Sequence, residues 1–356
     1  MADVKHGHWK SRLETIARGN QSGPINRCTH YMLGITAWLA RSLWTHSRTP
    51  INGQKAQTTT LPCNVISIGN ISMGGTGKTP LARWTAAHYE GLGTHTGIVA
   101  TGYMGGDESD EVREHKISCP RVPIAASRSR EIAARCLLND HNMQLIILDD
   151  GFQYQRLHRD LDILVLDATI PLHFLHPLLR EPLAGIGRAD IICLSKVDGT
   201  PTSELQAMRS QIGTWARRDV VLAEFVYEPS IPHTLTENKP ISLSDLEGTP
   251  VVAMSAIGNP SYFARVIEKS GARVVHQLCF PDHHRYSRAD LLWTEQEVHA
   301  CHANSLVVTE KDAVKLKGWK PPFDVWKLGI NIKFTRGEAA LTNQLKLLID
   351  LEDKRR

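Results

Sequence analysis

The sequence predicts an α/β protein in which a mostly parallel sheet with helices on both faces is followed by a smaller α/β domain. Runs of aliphatic and β-branched residues alternate with helical stretches, as they do in sheets built from strand–helix–strand units. This alternation pauses at a polar, proline-bearing segment, 228–250, and then resumes. A chain of 356 residues, 42% of them hydrophobic, is long enough for two domains with buried cores.

The strands of the larger domain are predicted from short apolar runs that lie between helical or turn-forming segments. They are placed at 65–69, 97–101, 145–149, 162–167, 189–194 and 220–226. In the smaller domain the order is strand 251–255, helix 260–270, strand 273–279, helix 288–303 and strand 305–309. We therefore expect an arm over 1–48, a larger domain over 49–235, a linker over 236–250, a smaller domain over 251–330 and a C-terminal helix over 331–356.

The N-terminal arm carries most of the positive charge. Residues 1–48 hold seven Lys and Arg against two acidic residues, although the net charge of the whole chain is only +4. A basic arm on a nearly neutral body indicates contact with an anionic surface and argues against nucleic acid bound over a broad basic face. The most apolar stretch, 31–44, contains Arg41 and is too short to span a bilayer.

The cysteines point to a reducing compartment. There are seven, they are widely scattered, and no two are spaced as Cys-x-x-Cys. An odd, dispersed set is not typical of a disulfide framework or a zinc ribbon.

A phosphate-binding loop is predicted at the end of the first strand. Residues 65–84 read VISIGNISMGGTGKTPLARW, an apolar strand, a glycine-rich turn and a helix opened by Gly-Lys-Thr. Such a turn directs backbone N–H groups at phosphate oxygens, with Lys78 on the terminal phosphates and Thr79 on Mg²⁺. The usual first glycine is replaced by Ser72. The predicted cofactor-binding residues are Gly74, Gly75, Thr76, Gly77, Lys78, Thr79 and Pro80.

Two carboxylates follow the strand LIIL, and they are candidates for the metal site. Asp149 and Asp150 come at the carboxyl end of this strand, the edge where ligands bind in open α/β sheets. Adjacent carboxylates repel one another unless a cation lies nearby. A turn that caps a helix is the alternative interpretation.

Three further segments place charged side chains in unusual settings. Asp107, Glu108, Asp110 and Glu111 form an acidic cluster that is either solvated or supplies an aspartate to accept a proton from an attacking hydroxyl. Arg180 and Glu181 interrupt an apolar loop and could present an arginine to phosphate. Asp282 and His283 could form an oriented acid–base pair.

Seven stretches occur in order from about residue 64 to 316: GNISMGGTGKTP, the DE pair after GY, LDDGFQYQRLHRDLDILVLDA, LLREPL, IGNP, FPDHHRY and VVTEKDAVKL. In these stretches and their order the chain resembles the tetraacyldisaccharide 4'-kinase family of lipid A biosynthesis. Two departures are Thr101, where the family usually has Arg, and the short segment before the DE pair.

The resemblance implies a kinase that uses ATP and Mg²⁺ to phosphorylate the 4'-hydroxyl of tetraacyldisaccharide 1-phosphate, giving lipid IVA. It implies Thr79, Asp149, Asp150, Glu181 and Glu111 near the metal. The catalytic residues it implies are Lys78, Arg180, His283 and an aspartate, for which spacing favours Asp110 and literal motif matching favours Asp107.

The resemblance also implies a peripheral protein at the cytoplasmic face of the inner membrane. Its partners would be an acylated glucosamine disaccharide and an anionic lipid surface, with no nucleic acid, and we expect a monomer. Segment 27–48 mixes Trp and Leu with arginines, as interfacial helices do, although a helix packed on the protein's own core is the alternative. A switch-type ATPase is the alternative function, but its signature lysine is replaced by Met73.

Overall fold

The computed structural model describes Met32, Thr36 and residues 58–102, 110–173 and 176–353. The predicted arm therefore lies almost wholly outside the described residues. These residues divide into two compact units, one made of 58–226 with 334–353 and the other of Tyr227–Lys333. Within the described residues the chain passes between the units twice, at 226–227 and at 333–334, and each passage lies inside a strand.

The strands are, in chain order, β1 Asn64–Gly69, β2 Thr96–Thr101, β3 Ile124–Ser127, β4 Leu145–Asp149, β5 Leu161–Asp167, β6 Ile191–Ser195, β7 Val221–Pro229, β8 His233–Thr234, β9 Pro250–Ser255, β10 Arg273–Cys279, β11 Ser305–Thr309, β12 Asp324–Leu328 and β13 Ile330–Arg336. The helices are α1 Lys78–Gly91, α2 Asp110–Ser118, α3 Arg130–His141, α4 Thr202–Trp215, α5 Leu243–Leu246, α6 Pro260–Lys269, α7 Arg288–Ala300, α8 Glu310–Ala313 and α9 Glu338–Asp353.

Within the described residues the larger sheet has eight strands, in the order β13-β7-β6-β5-β1-β4-β2-β3. The pairings of β1 with β4 and β5, of β2 with β3 and β4, and of β6 with β5 and β7 are all parallel. The carboxyl ends of β1, β4, β5 and β6 therefore meet at one edge, and this edge carries the candidate site.

The core of this unit is apolar and well covered. Every residue of β4 and β5 is buried, which explains their nearly continuous aliphatic sequences. One cluster joins the sheet to α4 through Leu205, Met208 and Ile212, and another joins it to α3 through Ala133, Ala134 and Leu137.

The smaller sheet, in the part of the chain that the structure describes, has five strands in the order β10-β9-β11-β12-β8. Its pairings are parallel except for that of β12 with the two-residue β8. Asn259 is the N-cap of helix α6: its side chain accepts a hydrogen bond from Tyr262 N, and Pro260 takes the first helical position. The two mostly parallel sheets and the helices between their strands confirm the predicted α/β fold class.

The structure differs from the expectation at the C-terminus. Residues 330–336 form β13, so the helix predicted over 331–356 begins at Glu338. Gly337, at φ +76°, lies between the two elements and approaches the backbone of Leu222 so closely that a Cβ would not fit. None of the described helices is long and apolar enough to cross a membrane.

Candidate active site

The phosphate loop lies between β1 and α1, as the sequence predicts. Gly74 and Gly77 adopt positive φ values of 96° and 103°, which side chains with a Cβ rarely tolerate. A side-chain hydrogen bond also stabilises the loop: Asn70 Nδ2 donates to Thr76 Oγ1 at 2.8 Å. Pro80 lies in the first turn of α1, where its missing N–H costs no helical hydrogen bond.

Thr79 and Asp149 are brought into direct contact. The Thr79 hydroxyl donates to Asp149 Oδ2 at 2.8 Å, and His115 Nε2 lies 2.8 Å from the same oxygen. Burial opposes ionisation of Asp149, but its contacts with His115, Lys78 and Thr79 together outweigh burial and hold the pKa of this carboxyl below its usual value. Its other oxygen, Oδ1, is buried and has no hydrogen-bond partner among the described residues.

Asp150 faces two cations. Its carboxylate lies 3.5 Å from Lys78 Nζ and accepts two hydrogen bonds from Arg180 Nη1, at 3.0 and 3.1 Å. Burial opposes its ionisation, but Lys78 and Arg180 outweigh it and lower the pKa of Asp150. The Lys78 ammonium is therefore held at the mouth of the loop by a carboxylate.

Asp150 is also held through its backbone. It adopts a φ of +57°, uncommon for a residue with a side chain. Arg130 Nη2 donates to the Asp150 carbonyl at 2.5 Å and to Thr101 Oγ1 at 2.8 Å, and the guanidinium lies 5.2 Å from the centre of the Tyr154 ring. Arg130 thus fixes the turn that presents both aspartates.

Glu181 is close to this group but has protein partners of its own. Its carboxylate accepts from Gln153 Nε2 at 2.7 Å and pairs with Arg188 at 2.9 Å. Gln153 also donates to the backbone carbonyl of Asn70, the residue that follows β1. Glu181 therefore links the loop of Arg180 to the phosphate loop, and its proposed contact with a metal stays a prediction.

The donor set suits Mg²⁺. Hydroxyl and carboxylate oxygens are the ligands this ion prefers, and it usually retains water and binds substrate phosphates as well. The uncoordinated, buried Asp149 Oδ1 is an acceptor that a cation would satisfy. Among the described residues no group of three or more His, Cys, Asp or Glu side chains gathers as a metal cluster. Thr79 and Asp149 would therefore hold the ion together with phosphate oxygens and water.

The acidic cluster is only partly described. Residues 103–109, with Asp107 and Glu108, lie outside the described residues, as do the side chains of Asp110 and Glu111 in the first turn of α2. Neither candidate for the catalytic aspartate is therefore tested. The same helix carries His115, which reaches Asp149.

His283 lies in the other unit, in a turn after β10. It has a φ of +61°, and its backbone N–H donates to Asp282 Oδ1 at 3.0 Å. Lys311 Nζ lies 2.9 Å from the same Asp282 oxygen and 3.5 Å from His283 Nε2. Burial opposes ionisation of Asp282, but Lys311 and His283 outweigh it and lower the pKa of this carboxyl. Neighbouring His284 faces Asp290, 3.0 Å away, which is a separate contact.

Sequence reasoning missed four polar residues of this site: Arg130, His115, Gln153 and Lys196. Lys196 follows β6, is buried, and donates to Asp167 Oδ2 and to the carbonyl of Gly75, both at 2.5 Å. Arg130 could have been noticed because it directly follows Ser129, a clear helix N-cap. Gln153 lies in the matching stretch LDDGFQYQRLHRDLDILVLDA, which gave it no role of its own, and His115 and Lys196 lie in none of the motifs that the sequence analysis used.

Comparison with known proteins identifies relatives for most of the chain. A sequence model of the family described as tetraacyldisaccharide-1-P 4'-kinase matches residues 29–350. The tetraacyldisaccharide 4'-kinase of Syntrophus aciditrophicus is 32% identical over 72% of this chain and 76% of its own length. That of Bdellovibrio bacteriovorus is 32% identical over 72% of this chain and 80% of its own length. A crystal structure of LpxK from Aquifex aeolicus in complex with ATP shares the fold, with a TM-score of 0.59 and 24% identity over 90% of this chain and 95% of that one.

Proposed function

The chain belongs to the tetraacyldisaccharide-1-P 4'-kinase family, and we propose on this basis that it transfers the γ-phosphate of ATP to the 4'-hydroxyl of tetraacyldisaccharide 1-phosphate. The product is the bis-phosphorylated lipid A precursor, lipid IVA. The observation that carries this function is the phosphate loop facing two aspartates, with Lys78 and Thr79 each in contact with one of them. Family membership decides against the switch-type ATPase.

Charge neutralisation is the main task of the residues on the larger sheet. Phosphoryl transfer requires positioning and stabilisation of negative charge, with little covalent chemistry from the protein. The backbone of residues 74–79 would bind the phosphates. In the structure Lys78 and Arg180 both pair with Asp150. With a nucleotide bound, they would turn to its terminal phosphate oxygens. Bound Mg²⁺, held by Thr79 and Asp149, would supply further neutralisation of the β- and γ-phosphates.

Proton removal from the sugar hydroxyl needs a base, for which we propose Asp110 together with His283. The family resemblance supports these two residues, with Asp107 as the other candidate for the aspartate. Lys311 and Asp282 flank the His283 ring, at 3.5 and 3.9 Å from its Nε2. His283 belongs to the unit Tyr227–Lys333, and Asp110 belongs to the unit that carries the phosphate loop.

We also propose that the protein acts as a monomer on the cytoplasmic face of the inner membrane. A lipid with four acyl chains stays in the bilayer, so the enzyme has to reach it there. The support is the basic, Trp-containing composition of residues 27–48, suited to an interfacial helix. Sedimentation with vesicles of anionic or neutral lipid tests this: binding that requires anionic lipid supports it, and equal recovery with both contradicts it.

One assay tests the activity. The full chain is incubated in detergent with Mg²⁺, γ-labelled ATP and tetraacyldisaccharide 1-phosphate, and the products are separated. Label in the lipid, absent when Mg²⁺ is removed, supports the kinase. Label released only as free phosphate would indicate an ATPase, and label retained in ATP would indicate a lipid-binding protein. Either of these two results would overturn the proposal.

A further inference from the structure

His115 is a fully buried histidine at a position of α2 where packing alone would favour an apolar residue. It is 0% exposed and lies on the same helix face as the buried Val112, three residues earlier. Burying an imidazole costs free energy unless its nitrogens find hydrogen-bond partners. Its Nε2 lies 2.8 Å from Asp149 Oδ2, whereas its Nδ1 is buried and has no such partner among the described residues. The contact with Asp149 therefore indicates a role for His115 beyond packing.

The Asp149 carboxylate is held through one of its two oxygens. Oδ2 accepts from the Thr79 hydroxyl and faces His115 Nε2, both at 2.8 Å. An ionised carboxylate only accepts hydrogen bonds, so Nε2 is the donor in this contact. Two donors on one oxygen limit the rotation of the carboxylate about its Cβ–Cγ bond. The direction of Oδ1, which has no hydrogen-bond partner among the described residues, is fixed as a result.

The donor is itself held in place. Arg83 of α1 holds helix α2 through the carboxylate of Glu114 and, at 2.9 Å, through the hydroxyl of Ser118. Asp149 in turn ends β4, a strand that is paired on both sides within the sheet. A hydrogen bond between two fixed elements orients a side chain more strictly than a hydrogen bond made by a loop.

We propose that His115 is a positioning residue for the transfer reaction, whose Nε2–H orients the Asp149 carboxylate for Mg²⁺. The inference deepens the proposed function and rests on it in taking Asp149 as a metal ligand. His115 itself touches neither the metal nor the substrates. Hydrogen-bond partners behind a metal ligand strengthen metal binding, and their loss typically weakens it about 10–100-fold.

Two substitutions of similar size isolate the hydrogen bond. In His115→Gln the amide nitrogen can take about the place of the imidazole Nε2 and donate to Asp149. In His115→Met the thioether has no proton to donate. His88→Met is the matched control, because His88 is half-buried in α1 and its Nε2 has no hydrogen-bond partner among the described residues. It lies about 14 Å along this helix from Thr79.

Nucleotide binding to the full chain measures the metal's contribution without lipid or turnover. Displacement of a fluorescent N-methylanthraniloyl nucleotide gives the dissociation constant of the non-hydrolysable ATP analogue AMP-PNP, once with Mg²⁺ and once with EDTA. The ratio of the two constants is the readout, because a general loss of structure changes both. We expect His115→Met to reduce this ratio about tenfold, and His115→Gln to stay within about threefold of the wild-type protein. His88→Met should leave it unchanged.

Equal ratios for the two His115 variants would overturn the inference, whether both match the wild-type protein or both fall, because the variants differ in their ability to donate. A ratio near one in the wild-type protein would overturn the metal role of Asp149 and this inference with it. ¹⁵N NMR of the histidine-labelled wild-type protein checks the donor without any variant. A proton on His115 Nε2 is expected, and an Nε2 without a proton would overturn the inference.

Failure of the kinase proposal looks different. Label from ATP would then not enter the lipid, although the two His115 variants still differed in Mg²⁺-dependent binding of the nucleotide.

Discussion

The hydroxyl of Thr79 donates a 2.8 Å hydrogen bond to Oδ2 of Asp149, which joins the first turn of α1 to the carboxyl end of β4. The two residues are far apart in the chain and come from the two motifs that the sequence analysis assigned to the metal. The contact places a hydroxyl and a carboxylate, both suitable ligands for Mg²⁺, at one point.

Thr79→Val should raise the Mg²⁺ concentration needed for half-maximal activity and lower kcat by about a hundredfold, because it removes a metal ligand while keeping the shape of the side chain. The measurement is initial rate against Mg²⁺ concentration. Thr85→Val in the same helix is the matched control, since the buried Thr85 hydroxyl has no hydrogen-bond partner among the described residues. A Thr79→Val protein with wild-type Mg²⁺ dependence would contradict the role given to this hydroxyl.

Lys78→Ala should reduce lipid phosphorylation by orders of magnitude and leave the protein folded. The ammonium would neutralise charge on the transferred phosphoryl group, whereas Asp150 keeps Arg180 as a partner when Lys78 is lost. Labelled transfer and circular dichroism check the two parts. Lys317→Ala, at an exposed position, controls for the loss of one positive charge. Wild-type turnover by the Lys78 variant would contradict the proposal that the loop binds the phosphates.

Arg130→Lys should lower kcat about tenfold and cost about 1 kcal/mol of stability, because a single ammonium cannot reach both the Asp150 carbonyl and the Thr101 hydroxyl. Steady-state rates and urea unfolding measure these effects. Arg135→Lys, on an exposed Arg in the same helix paired with Glu131, should change neither quantity. Equal behaviour of the two variants would show that Arg130 does not hold the Asp150 turn.

Gly69→Ala should destabilise the protein by about 2 kcal/mol or more, because the added Cβ would lie 2.5 Å from Phe152 Cβ and 2.6 Å from Phe152 N. Phe152 is fully buried directly after Gly151, so the aspartate turn would shift with it. The control is Gly213→Ala in α4, where the new Cβ meets nothing within 4 Å. It should stabilise by about 0.5–1 kcal/mol. Thermal unfolding of both variants gives the comparison, and a neutral Gly69→Ala would refute the close packing.

The ion pair of Asp282 with Lys311 should make stability depend on pH in the acid range. The pKa of Asp282 is lower in the folded protein than in the unfolded chain, where it is about 3.9. Its contribution is therefore complete above the unfolded pKa and is lost as pH falls through the folded pKa. Urea unfolding between pH 6 and pH 3 should show a steeper loss for the wild-type protein than for Asp282→Asn. Parallel curves would mean that this pair contributes no stability.

The sequence located the strands of the site well because they are short, mostly aliphatic runs that lie between helical or turn-forming segments. The runs 145–149, 273–279 and 305–309 match β4, β10 and β11 at both ends. The prediction from the sequence missed β3, β8, β12 and β13. These strands are short or have a mixed pattern, and pairing within the sheets is what fixes them. Segment 330–336 alternates half-buried and exposed residues, which made it hard to separate from the helix that follows.

The residues of the site also divide into those that the sequence predicts and those that it does not. A phosphate loop can be recognised in the sequence because its glycines, Lys78 and Thr79 must lie close together in the chain for the backbone to enclose a phosphate. Asp149 and Asp150 are readable because the end of a parallel strand is where ligands bind. Arg130, Gln153 and Lys196 carry no such pattern, since each acts through a contact with a distant part of the chain.

The sequence by itself determined the α/β class, the phosphate loop and the family, because all three depend on local patterns of residues. Only the tertiary structure decided which partners those residues have: His115 beside Asp149, Arg180 and Lys78 sharing Asp150, and Lys196 fastened to Gly75. The physical reason is that hydrogen bonds and ion pairs act over a few ångströms in space. The folding of parallel strands, and not their order in the chain, brings these groups within that range.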